Sequence, residues 1–417
     1  MDEPVVAYLA PELPALSATF VYEELLGLER RGMQIIPISV RRPALPASGQ
    51  EALSARTLVL YGDGPATVVW GGLAALPMFG RRSAKALRWL VKDMTSLGLW
   101  RRGTWKLAFQ WLAGARLARW LQNQNCQHLH VHFAHVPAQI AMYASAFADI
   151  PFTIMAHAND IFERGALLPQ KAMRATQLLT ISHFNVAYLQ TVGVPESRLS
   201  VVRCGVSFAR RPQAPCFDRK PIYRIGTLGR LIEKKGVDDL LHALANLRSP
   251  TWRVELSVAG DGPLRAALEA QVRVLGVADR VRFEGALSHS AVTTWLHSLD
   301  IFALACKADS NGDMDGIPVA LMEAMSQQVP VVSTRLSGIP ELIIDGKTGL
   351  LARPADPVDL ERAVRELLDD PDLRATLADA AMHHVETEFG QNLNLDRLLA
   401  HFPAGGLTPP QTYTSAG

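Results

Sequence analysis

The chain of 417 residues is 48% hydrophobic and 20% charged with a net charge of +2, which describes a globular protein of two domains. Its four cysteines, Cys126, Cys204, Cys216 and Cys306, form no CxxC pair and are too sparse for a disulfide scaffold, so a reducing cytosol is expected. The opening residues MDEPVVAYLAPELP lack the basic and apolar regions of a signal peptide, and the weakly polar run 66–80 is too short and too interrupted to span a bilayer, which takes about 20 residues.

In chain order, apolar β-branched runs alternate with helical patterns in two series, as in two α/β layers with parallel sheets. The first series reads VVAYLA, QIIPISV, TLVLYG, LHVHF, FTIMAHA, LLTIS and LSVVRCG and ends near Gly205. The stretch SFARRPQAPCFDRKP has the composition of an interdomain linker, and a second series follows: RIGTLGR, RVELSVAG, VRFEG, DIFALAC, PVVST and GLLARP. Ligands of such sheets bind beyond the carboxyl ends of the strands, so the site is expected in the cleft between the halves. After Asp356 the pattern is helical, and 405–417, GGLTPPQTYTSAG, reads as a disordered tail.

Between the third and fourth predicted strands, residues 66–120 hold six of the eight tryptophans and ten basic residues against the single acid Asp93. On a helix, Arg81, Lys85, Arg88 and Lys92 form one stripe, with Leu87, Leu90, Val91, Met94 and Leu97 on the opposite face. Such a segment suits an anionic membrane surface, or else is an ordinary packed helix with a solvated basic face. Nucleic acid is not expected, because no RNA- or DNA-binding motif accompanies the charge.

The most informative stretch is Asp315 to Ala324, DGIPVALMEA. Pro318 suits the first turn of a helix, Gly316 and Ile317 form the approach, and the helix presents free N–H groups and its positive end to an anion such as a diphosphate. Asp315 and Glu323 stand eight positions apart. GRLIEKKG, after a strand, places Arg230 and Lys235 at a turn where two cations could clamp a diphosphate or could be a solvated loop. GDGPL, from Gly260, is a strand-to-helix turn, SGIPELIIDGKTGLL carries Glu341, and AHANDIF puts His157 at a strand's carboxyl end, where it can donate to a hydroxyl or carbonyl.

Together these elements resemble retaining glycosyltransferases of the GT-B fold, specifically family 4, which includes exopolysaccharide and colanic-acid sugar transferases. The DGIPVALMEA stretch is similar to the family's E-x7-E signature with Asp315 in place of Glu, and the other stretches to its GR-x(3–4)-KG, G-x-GP, DGxTG-loop and AHA-x-DI elements. The resemblance implies an α/β fold of two Rossmann-like doubly wound domains facing a cleft: 1–205 on the acceptor side, 206–390 binding the nucleotide sugar, and 391–404 as a helix crossing back to the first domain. It further implies that Arg230 and Lys235 contact the donor diphosphate, Glu323 the ribose, Asp315 the sugar hydroxyls and His157 the sugar or its acceptor, that Glu341 ends near the donor, and that Asp160 orients its loop.

SATFVYEE departs from the family's SETF element, with Ala18 for Glu; either Glu23 or a backbone group substitutes, or the acceptor differs. Three metal patterns are weighed and set aside, so no metal or cofactor is expected. Asp313 and Asp315 read as DxD but are fused to the helix motif; an EF-hand register would need Glu where Met322 stands; and His128, His130, His132 and His135 have no accompanying carboxylate in the sequence. A UDP- or GDP-sugar donor, a lipid-linked glycan acceptor and a cytoplasmic enzyme peripheral to the inner membrane face are expected. The alternatives are a sugar-nucleotide epimerase of the same fold and a non-catalytic membrane scaffold.

Overall fold

The computed structural model describes residues 4–15, 18–43, 49–101, 103–207 and 215–402. Arg102, part of the expected linker (208–214) and the expected tail lie outside them. Among the described residues the first sheet holds β1 (Val5–Glu12), β2 (Gln34–Arg41), β3 (Leu58–Val59), β4 (His128–His132), β5 (Phe152–Ala156), β6 (Gln177–Thr180) and β7 (Leu199–Val201). The second holds β8 (Ile222–Leu228), β9 (Arg253–Ala259), β10 (Val281–Gly285), β11 (Ile301–Ala303), β12 (Val331–Thr334) and β13 (Leu350–Ala352). Every apolar run read as a strand contains one, although TLVLYG yields only Leu58–Val59.

Both sheets are parallel, in the orders β3-β2-β1-β4-β5-β6-β7 and β10-β9-β8-β11-β12-β13. Helices cover both faces, which is why Val6 to Ala10 are wholly buried and the strands read as continuous apolar runs. Strand order reverses between β1 and β4 in the first sheet and between β8 and β11 in the second. At these switch points neighbouring loops diverge and leave a crevice beyond the strands' carboxyl ends. The loop after β8 carries Arg230 and Lys235, and the loop after β11 carries Asp315.

The helices follow ordinary local chemistry. Pro357–Asp369 buries Leu360, Ala363, Val364, Leu367 and Leu368, a 3.6-residue stripe, and begins at Asp356, whose carboxylate accepts from the N–H groups of Val358 and Asp359. Such a cap contributes about 1 kcal/mol. The final described helix, Gln391–Leu399, returns to the first domain. Leu395 packs where a side chain on Gly27 would stand, Gln391 donates to the Glu23 carbonyl at 3.1 Å, and Arg31 donates to the Asn392 carbonyl at 2.8 Å.

Candidate active site in the interdomain cleft

On the second-domain side, two loops are locked together. Gly260 has φ +125°, and a Cβ there would lie 1.9 Å from the Gly229 carbonyl oxygen, so only glycine lets the GDGPL turn meet the GRL turn. Backbone bonds from Leu231 to Asp261 (2.9 Å) and from Leu264 to Leu231 (3.1 Å) join the two. Gly236, with φ +62°, sits so close to the Ala305 carbonyl that a Cβ would be 1.7 Å away. This contact draws the EKKG turn onto the segment after β11.

The result is a compact charge cluster. Lys235 Nζ lies 2.6 Å from Asp315 Oδ2, while Lys234 Nζ lies 2.8 Å from Asp313 Oδ2 and 3.6 Å from Asp315 Oδ1. Burial opposes charge on the Asp315 carboxyl, yet the two lysines hold it below its ordinary range; burial likewise opposes the Lys235 charge, and Asp315 holds that group above its ordinary range. Lys234 did not figure among the expected site residues, although it is adjacent to Lys235 in the EKKG turn. Arg230 is exposed and makes no ion pair among the described residues, leaving its guanidinium available to an anion.

Pro318 forms the N-cap of the helix Val319–Ser326, one position before its expected place in the first turn, and Ile317 is buried in the core that bridges the domains. Gly316 packs against the first domain, where a Cβ would stand 2.6 Å from Ile181 and 3.6 Å from Ala158. The positive end of the helix is therefore at the domain junction. Glu323, one turn along, lines an interdomain cavity of about 250 Å³ with Thr19, Phe20 and Glu23 of the first domain and Val292 of the second.

Glu341 joins the two domains. Its two oxygens accept from the backbone N–H groups of His183 (3.0 Å) and Phe184 (2.9 Å), at the start of the first-domain helix His183–Thr191, and from Arg203 (3.0 Å). In this arrangement it is a carboxylate of one domain capping a helix of the other, and its oxygens are engaged there.

On the first-domain side, β5 ends at His157, which begins the short helix Ala158–Phe162 in a reciprocal cap with Asp160. Asp160 accepts from the N–H of His157 at 2.9 Å and from the N–H of Ala134, tying this loop to the end of β4. His157 is nearly buried, and its Nε2 faces His132 Nδ1 at 3.2 Å. The three strand histidines do share one face, but the absence of a carboxylate inferred from the sequence is corrected by the fold. Parallel pairing sets Tyr8 beside His130, and helix Thr19–Arg30 brings Glu24 to 3.1 Å from His132 Nε2 and 3.8 Å from His130 Nε2.

Glu24, His130 and His132 offer ligand atoms within 4.8 Å of one another. The Tyr8 hydroxyl enters that space, donating to Glu24 and lying 2.6 Å from His132 Nε2. The group is thus a buried hydrogen-bonded chain running from Glu24 through His132 to His157. His135 is separate, standing at the N-cap of the helix Val136–Ala148.

The chain belongs to glycosyltransferase family 4 and has the two-domain GT-B architecture: the model for "Glycosyltransferase Family 4" matches residues 17–210 and that for "Glycosyl transferases group 1" residues 222–370. It is 32% identical over 251 residues to WcaL of Escherichia coli K12, a protein named as a colanic acid biosynthesis glycosyltransferase, covering 58% of this chain and 62% of that one. It is 33% identical over 245 residues to the amylovoran biosynthesis glycosyltransferase AmsK of Erwinia amylovora, covering 57% and 60%. Both matches span less than two thirds of the relative's own length. The fold is similar to that of HepE from Anabaena, whose crystal structure contains UDP, with a TM-score of 0.71, 16% identity and coverage of 95% of this chain and 98% of that one.

Proposed function

We propose that the protein transfers a hexose from a UDP- or GDP-sugar to a hydroxyl of a lipid-linked oligosaccharide in exopolysaccharide biosynthesis, with retention of configuration and without a metal. The observation that carries the reading is the convergence of Arg230, the Lys235–Asp315 pair and the start of helix Val319–Ser326 on the switch-point crevice of the second sheet. Cations and free backbone N–H groups aimed at one place stabilise a departing diphosphate. Asp313 and Asp315, which would have to hold a metal in a DxD site, are each paired with a lysine, so the charge a metal would supply is already present.

No residue in the motifs stands out as a covalent nucleophile, so a front-face displacement assisted by the leaving diphosphate is the natural mechanism. Positioning and electrostatics then carry the catalysis. Glu323 in the 250 Å³ cavity is suited to the donor's ribose hydroxyls, and Asp315 to the sugar. The relatives named for colanic acid and amylovoran biosynthesis support a place in exopolysaccharide synthesis, while the epimerase and scaffold readings have no relative of that kind among those described.

Membrane proximity is supported by residues 66–120. Trp100 is 99% exposed, Trp70 and Trp105 are also exposed, and Leu87 and Val91 lie uncovered beside Arg88 and Lys92 on helix Arg81–Leu97. No helix among the described residues is long and apolar enough to cross a membrane, so any attachment through these helices would lie at the surface.

The test is a thermal-shift panel of UDP-, GDP- and ADP-sugars, followed by donor turnover with and without acceptor. One nucleotide class should raise Tm in a concentration-dependent way, because a ligand of the native state stabilises it by mass action. No shift from any of them, together with no donor hydrolysis, would overturn the transferase reading.

A further inference from the structure

The buried chain from Glu24 to His157 determines which ring nitrogens carry hydrogen. Three atoms meet at its inner end: the Tyr8 hydroxyl donates to Glu24 Oε1, His132 Nε2 lies 3.1 Å from that same oxygen, and it lies 2.6 Å from the Tyr8 oxygen. A carboxylate only accepts, and the single Tyr8 hydrogen is already given to Glu24. His132 Nε2 therefore faces two acceptors and has to carry the proton itself.

Burial keeps both His132 and His157 neutral, so each imidazole holds one ring proton. With its proton on Nε2, His132 has a bare Nδ1, which accepts from His157 Nε2 at 3.2 Å. His157 has then spent its own proton on Nε2. Its Nδ1 is a lone pair. Glu24 thus fixes the tautomer of His157 across two hydrogen bonds, as a carboxylate does for any histidine whose ring it orients.

That lone pair is open and well placed. His157 Nδ1 faces the start of the helix Ala158–Phe162 without a full side-chain hydrogen bond, and it is not among the sealed, unpartnered side-chain atoms of the described residues. The rings of Phe20 and Phe133 bracket the imidazole at 4.8 and 4.7 Å, and Phe20 also lines the interdomain cavity. The next two residues reach the second domain: Ala158 lies close to Gly316, beside Asp315, and Asn159 donates to Asp313 at 3.3 Å. Nδ1 therefore stands where the first domain meets the diphosphate clamp and the carboxylate proposed for the sugar.

We infer that Glu24 and His132 are positioning residues that fix His157 as a hydrogen-bond acceptor toward the transferred sugar. The enzyme then selects a sugar that offers a hydroxyl hydrogen at that point and rejects one that offers only lone pairs there, such as the carboxylate of a uronic acid. A site built to receive a hydroxyl hydrogen leaves its acceptor unpaired when that hydrogen is missing. The inference rests on the transferase reading and adds the polarity of its sugar contact.

The experiment uses the full chain at pH 8 with histidine labelled by nitrogen-15, the His157 signals being identified by their loss in His157→Gln. Two-bond proton–nitrogen correlations should show Nε2 protonated and Nδ1 bare. Glu24→Gln, whose amide oxygen still accepts, and Tyr8→Phe, which leaves the Glu24–His132 bond, should keep that tautomer. Glu24→Leu should invert it, because the freed Tyr8 hydrogen then goes to His132 Nε2. Turnover of UDP-glucose or GDP-mannose, whichever binds, is compared with analogues bearing fluorine in place of one sugar hydroxyl at a time, since fluorine accepts weakly and donates nothing. At one position the wild type should lose about tenfold or more in kcat/KM, and in Glu24→Leu that loss should shrink to about twofold. The electronic effect of fluorine is common to both enzymes, so the difference reports the hydrogen bond alone. A proton on His157 Nδ1 in the wild type, an unchanged tautomer in Glu24→Leu, or an equal fluorine penalty in both enzymes would each overturn the inference, and the first of these needs no variant of the chain to fold. If neither donor binds the wild type, the transferase reading fails; if one binds and Nδ1 is protonated, only this inference does.

Discussion

Lys235 serves two partners in turn: Asp315 at 2.6 Å before the donor arrives, and the diphosphate in the proposed reaction. Its removal has two consequences that must be separated. Arg230 is exposed and unpaired among the described residues, so Arg230→Ala should weaken donor binding and slow transfer by about tenfold or more with little change in Tm. Lys235→Ala should do the same and also lower stability, because Asp315 and Asp313 would share Lys234 alone; breaking a largely buried pair costs on the order of 3 kcal/mol. Donor titration and melting of both variants check this, and unchanged donor affinity in the double variant would falsify the clamp. Asp315→Asn, which keeps the shape and removes the charge, should depress turnover strongly while EDTA leaves the wild-type rate intact. Dependence on a divalent ion would restore the DxD reading.

Helix Arg81–Leu97 differs from its helical-wheel expectation in an instructive way. The apolar face splits: Leu90 and Met94 are buried, with Ala86 and Asp93, while Leu87 and Val91 remain exposed. Asp93, the lone acid of the region, is buried too, held by Arg174 at 2.6 Å and the Tyr143 hydroxyl at 2.8 Å. The basic stripe splits likewise, since Lys85 faces Asp149 at 3.9 Å, whereas Arg81, Arg88 and Lys92 are exposed. The outer face is therefore a mixture of cations and apolar side chains. Each free cation contributes roughly 1 kcal/mol near an anionic leaflet. The protein should cosediment with anionic vesicles at low salt and poorly with neutral ones, and substituting Arg81, Arg88 and Lys92 by Gln should release it, whereas Lys85→Gln alone should do little. Failure of the wild type to bind at low salt would leave this face an ordinary solvated surface.

For the molecule as a whole, the buried histidines make stability depend on pH. Burial lowers His128 to about 4, His132 to about 3 and His135 to about 4, and holds His130 and His157 well below the ordinary value. In the unfolded chain these groups titrate near 6.5, so below that pH the unfolded state binds more protons and gains on the folded one. Their contribution is complete above about 6.5 and is lost as pH falls toward 4. Burial raises Asp160 to about 7 and raises Glu24, and these two oppose the trend. The lowered histidines, with His401 shifted the same way, outnumber these two, so stability rises with pH across the window. Urea unfolding at pH 5 and pH 7 under constant salt measures it; a flat or inverted dependence would mean that these histidines are hydrated or charged in the native state.

Local rules were enough to place much of this in the sequence. The thirteen strand runs, the helix after Pro318, the glycine turns at Gly236 and Gly260 and the asymmetric charge of 66–120 all follow from spacing of two or 3.6 residues, from turn chemistry and from composition. What depended on contacts between distant segments was hidden. Glu24 meets the β4 histidines only because β1 pairs with β4 and helix Thr19–Arg30 covers that sheet, across more than a hundred residues. Glu341, read from its loop as a donor neighbour, also caps a helix start in the other domain, because the backbone N–H groups of His183 and Phe184 come within its reach only when the domains meet. Which lysine faces which aspartate, and which half of an amphipathic face stays open, were likewise decided by packing. Hydrogen bonds need partners within about 3 Å and ion pairs within about 4 Å, and no one-dimensional spacing specifies such distances between segments the chain has not yet brought together.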